Sequence, residues 1–130
     1  MAQKKTNPIR SMTDEARAMA RGLLEDARFA ALGVLDRDKG WPMVTRIALT
    51  LAPDGQPLTL ISSLSSHTAA LRADPRCSLM VGELVNKGDP LTHPRMTLQC
   101  KAVFLERNDP GFASLRAHYL ERVPKAKLYI

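Results

Sequence analysis

Apolar and polar positions along the chain change period several times, and the changes divide it into helices and strands. From Asp14 to Arg28 the residues Ala16, Met19, Ala20, Leu23, Leu24 and Ala27 recur at helical spacing. Thr13 stands where an N-cap belongs and Asp14 and Glu15 occupy the first turn, so an amphipathic helix ending near Arg28 is predicted. Phe29 to Leu35 reads as a strand, and DRDKG at Asp36 to Gly40 as a hairpin-like turn. PMVTRIALTL, Pro42 to Leu51, alternates with a period of two. That places Val44, Arg46, Ala48 and Thr50 on one face and Met43, Thr45, Ile47, Leu49 and Leu51 on the other.

PDGQP at Pro53 to Pro57 predicts a hairpin turn, which makes the Arg46 strand and the one carrying Ile61 to Ser63 antiparallel neighbours. A short helix runs on to Asp74, followed by strands over CSLMVGE, Cys77 to Glu83, and MTLQCKAVFL, Met96 to Leu105. Between those strands lies NKGDPLTHP, Asn86 to Pro94, a polar loop long enough to be functional. The last element, DPGFASLRAHYLERVP, has Pro110 early, a stripe of Phe112, Leu115, Tyr119 and Val123, and a stop at Pro124. No internal repeat or domain boundary interrupts the order. It is the pattern of one small α+β domain, a barrel or curled sheet, spanning 1–130.

Composition narrows the class. With 45% hydrophobic and 25% charged residues, 130 residues are neither disordered nor fibrous, and suffice to bury a core. No apolar run approaches the ~20 residues of a membrane span, and MAQKKTNPIR lacks the apolar stretch of a secretory signal, so a cytoplasmic protein is expected. Cys77 and Cys100 fall inside strands without metal-ligand spacing, which predicts reduced, buried thiols and no metal site. The net charge of +6 is scattered, apart from Lys4, Lys5 and Arg10 near the start and Lys125 and Lys127 near the end. With aromatic residues at 5%, stacking platforms for bases are scarce, and no nucleic-acid partner is expected.

The candidate chemistry lies in LISSLSSHTAAL, Leu60 to Leu71, where hydroxyls crowd the start of a helix. A helix start offers unpaired N–H groups and the positive end of its dipole, so a phosphate fits there with Ser62, Ser63, Ser65 and Ser66 around it. The same residues also read as a helix N-cap with turn polar groups. Arg46 sharpens the first reading, because its planar fork matches phosphate oxygens and Val44 and Ala48 leave room beside it. Taken singly, Arg46 reads more simply as part of a solvated face or an ion pair with a carboxylate. His67 is fit to be a phosphate ligand or a solvent-facing residue, and Arg95 and Gln99 to contact a cofactor or simply to line a half-exposed strand.

The chain resembles the pyridoxamine 5'-phosphate oxidase-like split-barrel flavoproteins, in particular the branch related to haem-utilisation proteins. The resemblance is carried by WPMVTRIAL (Trp41 to Leu49), LTLISSLSSHTAALRADPRCSLMVGE (Leu58 to Glu83), KGDPLTHPR (Lys87 to Arg95) and TLQCKA (Thr97 to Ala102). It implies an antiparallel, Greek-key-like FMN-binding split β-barrel with flanking helices, paired as a homodimer with FMN at the interface. Arg46, Ser62, Ser66 and Thr68 would then lie near the phosphate, Ile47, Ala48 and Ile61 near the ring or ribityl chain, and His67 beside them. Arg95 and Gln99 are further candidates for FMN contacts. Many relatives carry lysine or arginine where this chain has His67 and Thr68. The resemblance also implies a final strand after the last helix, whereas the sequence stops at Tyr129 and Ile130, and a carboxy-terminal Arg/His motif that is absent. Vitamin B6 oxidation is therefore not expected. The implied activity is electron transfer from a donor such as a reduced nicotinamide to a small-molecule acceptor, with the flavin doing the redox chemistry. Haem binding or degradation on the same fold, and a non-enzymatic FMN or phosphoryl-ligand module, are the alternatives.

Overall fold

The computed structural model describes residues 13–84 and 86–130; the opening MAQKKTNPIR, on which the expectation of no secretory signal rests, lies outside them. Helix α1 (Asp14–Asp26) starts at Thr13, whose hydroxyl accepts from the Ala16 amide at 3.1 Å, while Asp14 and Glu15 meet the positive end of the dipole. It ends two residues before Arg28, where Ala27 turns extended. No residue of α1 is buried: Leu23 and Leu24 touch the core, as does Ala27 beyond them, but Met19 stays 57% exposed. Only the last turns of the helix reach the sheet side of its apolar stripe.

Strand β1 (Phe29–Leu35) lies inside a four-stranded antiparallel sheet of order β2-β1-β5-β6, with β2 at Pro42–Ala48, β5 at Arg76–Val81 and β6 at Met96–Lys101. The pleat sorts its residues. Ala30, Leu32 and Val34 turn inward and form the core with Ile47, Leu79 and Val81, and helix α2 (Ser66–Ala73) adds Ala70 and Leu71 to that layer. Phe29, Ala31, Gly33 and Leu35 turn to the outer face.

Three predicted strands are shorter than their patterns, each for a tertiary reason. The Pro42–Leu51 run breaks at Leu49, whose amide makes the last rung of the β1–β2 ladder to the Arg28 carbonyl at 3.0 Å, beyond which the chain before β1 turns into α1 and offers no further partner. Thr50–Leu51 (β3) then pairs with Pro57–Leu58 (β4) in a hairpin of its own, closed by the Ala52 amide on the Gln56 carbonyl at 2.8 Å. Ile61 to Ser63 is consequently not a strand beside Arg46: the hairpin uses Pro57–Leu58, and residues 59–65 run as a loop into α2. The β5–β6 ladder stops where the Ala102 amide donates to the Pro75 carbonyl at 2.7 Å, since proline has no N–H to return the bond. β5 ends at Val81, before Gly82 with φ +126°.

Helix α3 (Phe112–Arg122) ends before Pro124, as the sequence indicates, but begins after Gly111, whose left-handed φ of +84° leaves Pro110 in the preceding turn and not in the helix, and it buries Tyr119. A 3-10 turn over Pro124–Leu128 follows. No helix among the described residues is long and apolar enough to cross a membrane.

Asp74 closes α2 and is gripped by the next strand. Its carboxylate accepts from Arg76 Nη2 at 2.7 Å, Arg76 Nε at 3.0 Å and the Arg76 amide at 3.1 Å. These bonds, the side-chain pair foremost, hold its pKa at about 2, below the ordinary 3.8. A folded-state pKa below the unfolded one means that Asp74 stabilises the fold fully above pH 4 and loses that contribution as pH falls towards 2. Urea midpoints at pH 5 and pH 2 are expected to differ less for Asp74→Asn than for the native chain; equal differences would remove Asp74 from the acid response.

Candidate functional site

The outer face of the sheet carries a shallow trough. Its floor is a column of small residues in β1, Ala31 and Gly33; Arg46 and Val44 of β2 pair with them on one side, and Met80 and Ser78 of β5 on the other. Gly33 needs no special backbone angle, and a Cβ added there would approach nothing closer than the Ser78 carbonyl oxygen at 3.8 Å, so the space above it is open. A glycine inside a strand with free space over it allows close approach of another flat group. Val44 is 70% exposed and Met80 46% exposed, an unusual placement for apolar side chains on a strand face.

Arg46 lies over the Phe29 ring, 5.4 Å from guanidinium carbon to centroid, with Ala48 next to it on the same face. Gln99 pairs with Ser78 and continues that face on β6. Thr45, one residue from Arg46, points inward, and its hydroxyl meets His67 Nδ1 at 3.0 Å. This bond joins the start of α2 to the strand that bears Arg46. Burial lowers the His67 pKa from 6.5, so the ring is neutral at pH 7, and its Nε2 is covered with no hydrogen-bond partner. The amides of Ser66 and His67 open the helix and have no intrahelical carbonyl to bond.

The serine segment is internally organised. Ser62 Oγ accepts from the Leu64 amide at 3.1 Å, and Thr68 Oγ1 donates to the Ser62 carbonyl at 2.5 Å. Thr68 is 3% exposed, so its hydroxyl holds the turn together. Ser65 takes the N-cap position without a side-chain bond to the helix. Ile61, Ser62 and Thr68, with the buried Ile47, border a second space, an inner cavity of about 980 Å³ between the sheet and α3. Arg95 is engaged elsewhere, Nη1 donating to the Leu91 carbonyl at 2.8 Å.

The sequence-predicted site residues thus divide among four places. Arg46, Ala48 and Gln99 share the outer face; Ser66 and His67 stand at the α2 start; Ile47, Ile61, Ser62 and Thr68 border the inner cavity, with Arg95 tied into its loop. Thr45 and Phe29, which support His67 and Arg46, escape sequence reading because both contacts require the strand register.

A family model described as pyridoxamine 5'-phosphate oxidase matches residues 13–129. The chain belongs to the pyridoxamine 5'-phosphate oxidase family. Within this family its relatives include the chloroplast heme oxygenase HOZ of Arabidopsis thaliana, 36% identical over 90 residues, covering 68% of this chain and 26% of HOZ. Among solved structures, a protein of unknown function from Agrobacterium tumefaciens is 36% identical with a TM-score of 0.78, covering 95% of this chain and 53% of its own. A heme binding protein from Mycobacterium smegmatis is 28% identical with a TM-score of 0.78, over 92% of this chain and 48% of its own. The chain therefore spans about a quarter of HOZ and about half of these two solved chains. The α+β architecture, with its antiparallel sheet and three helices, agrees with the family fold.

Proposed function

We propose that this protein is a haem-binding or haem-degrading member of the family, acting as a homodimer whose second copy closes the trough over a planar cofactor. The observation that carries the reading is the 36% identity to HOZ across 68% of the chain. The trough fits the group. Haem is flat and apolar with carboxylates at one edge, and the trough sets Val44, Met80 and Phe29 beside the guanidinium of Arg46. His67 stays outside this fit, because its Nδ1 meets the inward-pointing Thr45 and its Nε2 is covered, which places the ring on the other side of the sheet from the trough. Bound there, haem would supply iron and the porphyrin; the chain's part is to bind and orient it. The sheet and the β3–β4 hairpin are read as the two halves of a split barrel.

FMN with oxidoreductase activity is the second reading. It is favoured by the α2 start, whose free amides are linked through Thr45 and His67 to the strand of Arg46, an arrangement suited to a phosphate. Separate titrations distinguish the two: a saturable Soret shift with hemin supports the first, quenching of FMN fluorescence without a Soret shift supports the second, and neither response sinks both.

Two substitutions locate the cofactor. Arg46→Ala is expected to weaken cofactor binding by about 1.5 to 3 kcal/mol through loss of a charge-assisted contact; an unchanged titration midpoint would take Arg46 out of the site. Gly33→Val should leave circular dichroism and unfolding near native, because a β-branched residue suits a strand, while filling the trough floor and lowering affinity at least about tenfold. Unaltered affinity in that variant would move the cofactor off this face.

A further inference from the structure

Two thiols face one another across the sheet. Cys77 of β5 and Cys100 of β6 are register partners, so their side chains leave the sheet on the same side, and both line the inner cavity. The Ala102–Pro75 hydrogen bond fixes the phase of the ladder, and two residues along the same phase makes Cys77 and Cys100 a hydrogen-bonded pair. Such pairs hold their Cα atoms about 5.5 Å apart, within the span of a disulfide, and their Cβ atoms about 5 to 5.5 Å apart, so closing the bond draws the two strands together by about 1 Å. Both cysteines are free and half-buried, and among the described residues no group of three His, Cys, Asp or Glu side chains is gathered to hold a metal ion.

We propose that Cys77 and Cys100 are a closable dithiol in the cavity wall, converted to an intrachain disulfide by a small-molecule disulfide that enters the cavity. One cysteine, as thiolate, attacks a sulfur of the incoming disulfide, forming a mixed disulfide and releasing one thiol. The second cysteine attacks the protein sulfur of that mixed disulfide and releases the other thiol. Two protein thiols are oxidised and one small disulfide is reduced to two thiols, with both protons leaving on the products. Burial raises both thiols, which keeps the reaction slow and the pair reduced without an oxidant. The cross-link locks β6 to β5 just before the ladder ends at Pro75, and hence fixes the 102–105 segment that bounds the cavity. The inference stands whether the trough takes haem or flavin.

The full chain, reduced and desalted, is incubated natively with oxidised glutathione, and free thiols and intact mass are followed. The expected result is a fall from two thiols to none, a mass lower by two hydrogens, no retained glutathione, and an unchanged chain length on a non-reducing gel. Cys100→Ser should instead keep one glutathione, trapped as the mixed disulfide because the resolving thiol is gone. The oxidised chain should melt at least about 5 °C higher than the reduced one, reverting with dithiothreitol. Two glutathiones per chain, cross-linked dimers, or closure in urea but never in the folded chain would each overturn the proposal.

Discussion

Gly82→Ala is expected to destabilise the protein by about 3 to 5 kcal/mol, the sum of backbone strain and a core-like clash. Gly82 has φ +126°, in a region that side-chain-bearing residues rarely adopt. A methyl group there would run into the Pro94 carbonyl oxygen and stand 2.8 Å from the Arg95 Cα, both backbone atoms of the loop that enters β6. Neither atom can rotate away. Relief would require moving the Pro94–Arg95 backbone, and with it the register of Val81 against Met96 at the end of the β5–β6 ladder. Urea unfolding of the variant measures the effect; a loss below 1 kcal/mol would mean that the loop yields freely.

Leu32→Ala is the second large effect, a loss of about 3 to 4 kcal/mol, within the 2 to 5 kcal/mol range of buried leucine truncations. Leu32 is 3% exposed at the centre of β1, opposite Thr45 on β2 and Leu79 on β5. It also borders the inner cavity, so the deleted atoms enlarge an existing space that the sheet cannot collapse around. The expected signature is a lower urea midpoint with an unchanged slope. A loss under 1 kcal/mol would deny β1 its place at the centre of the core.

Much of the architecture was legible where local rules and tertiary packing agree. Phe29–Leu35 is bounded by a helix end and a turn, and the structure places β1 at those residues. Thr13 and Pro124 carry their own backbone chemistry and mark helix ends observed, whereas Pro110, read as the first turn of α3, falls in the turn before Gly111. What stayed hidden belongs to partners distant in sequence. Alternation runs unbroken through Leu49, yet the ladder has its last rung at the Arg28 carbonyl, because the chain before Arg28 turns away into α1. MTLQCKAVFL has no internal stop; the stop is Pro75, just ahead of the neighbouring strand. At the site, the face of Arg46 followed from alternation, and the structure puts Val44 and Ala48 with it. The hydroxyls of Ser62 and Thr68 were recognisable as polar groups at a helix start, but their bonds within the turn depend on a loop shape that no periodicity encodes. The pairing of Cys77 with Cys100 needed the register.

The pleat of β1 has an evolutionary consequence. Along Phe29–Leu35 the even-numbered positions carry the core and the odd-numbered ones the trough, each residue free of the other's task. On the proposed reading of the trough, selection on ligand choice can act on Ala31 and Gly33 while selection on foldability acts on Ala30, Leu32 and Val34. One seven-residue stretch can thus acquire a new specificity without a change of scaffold.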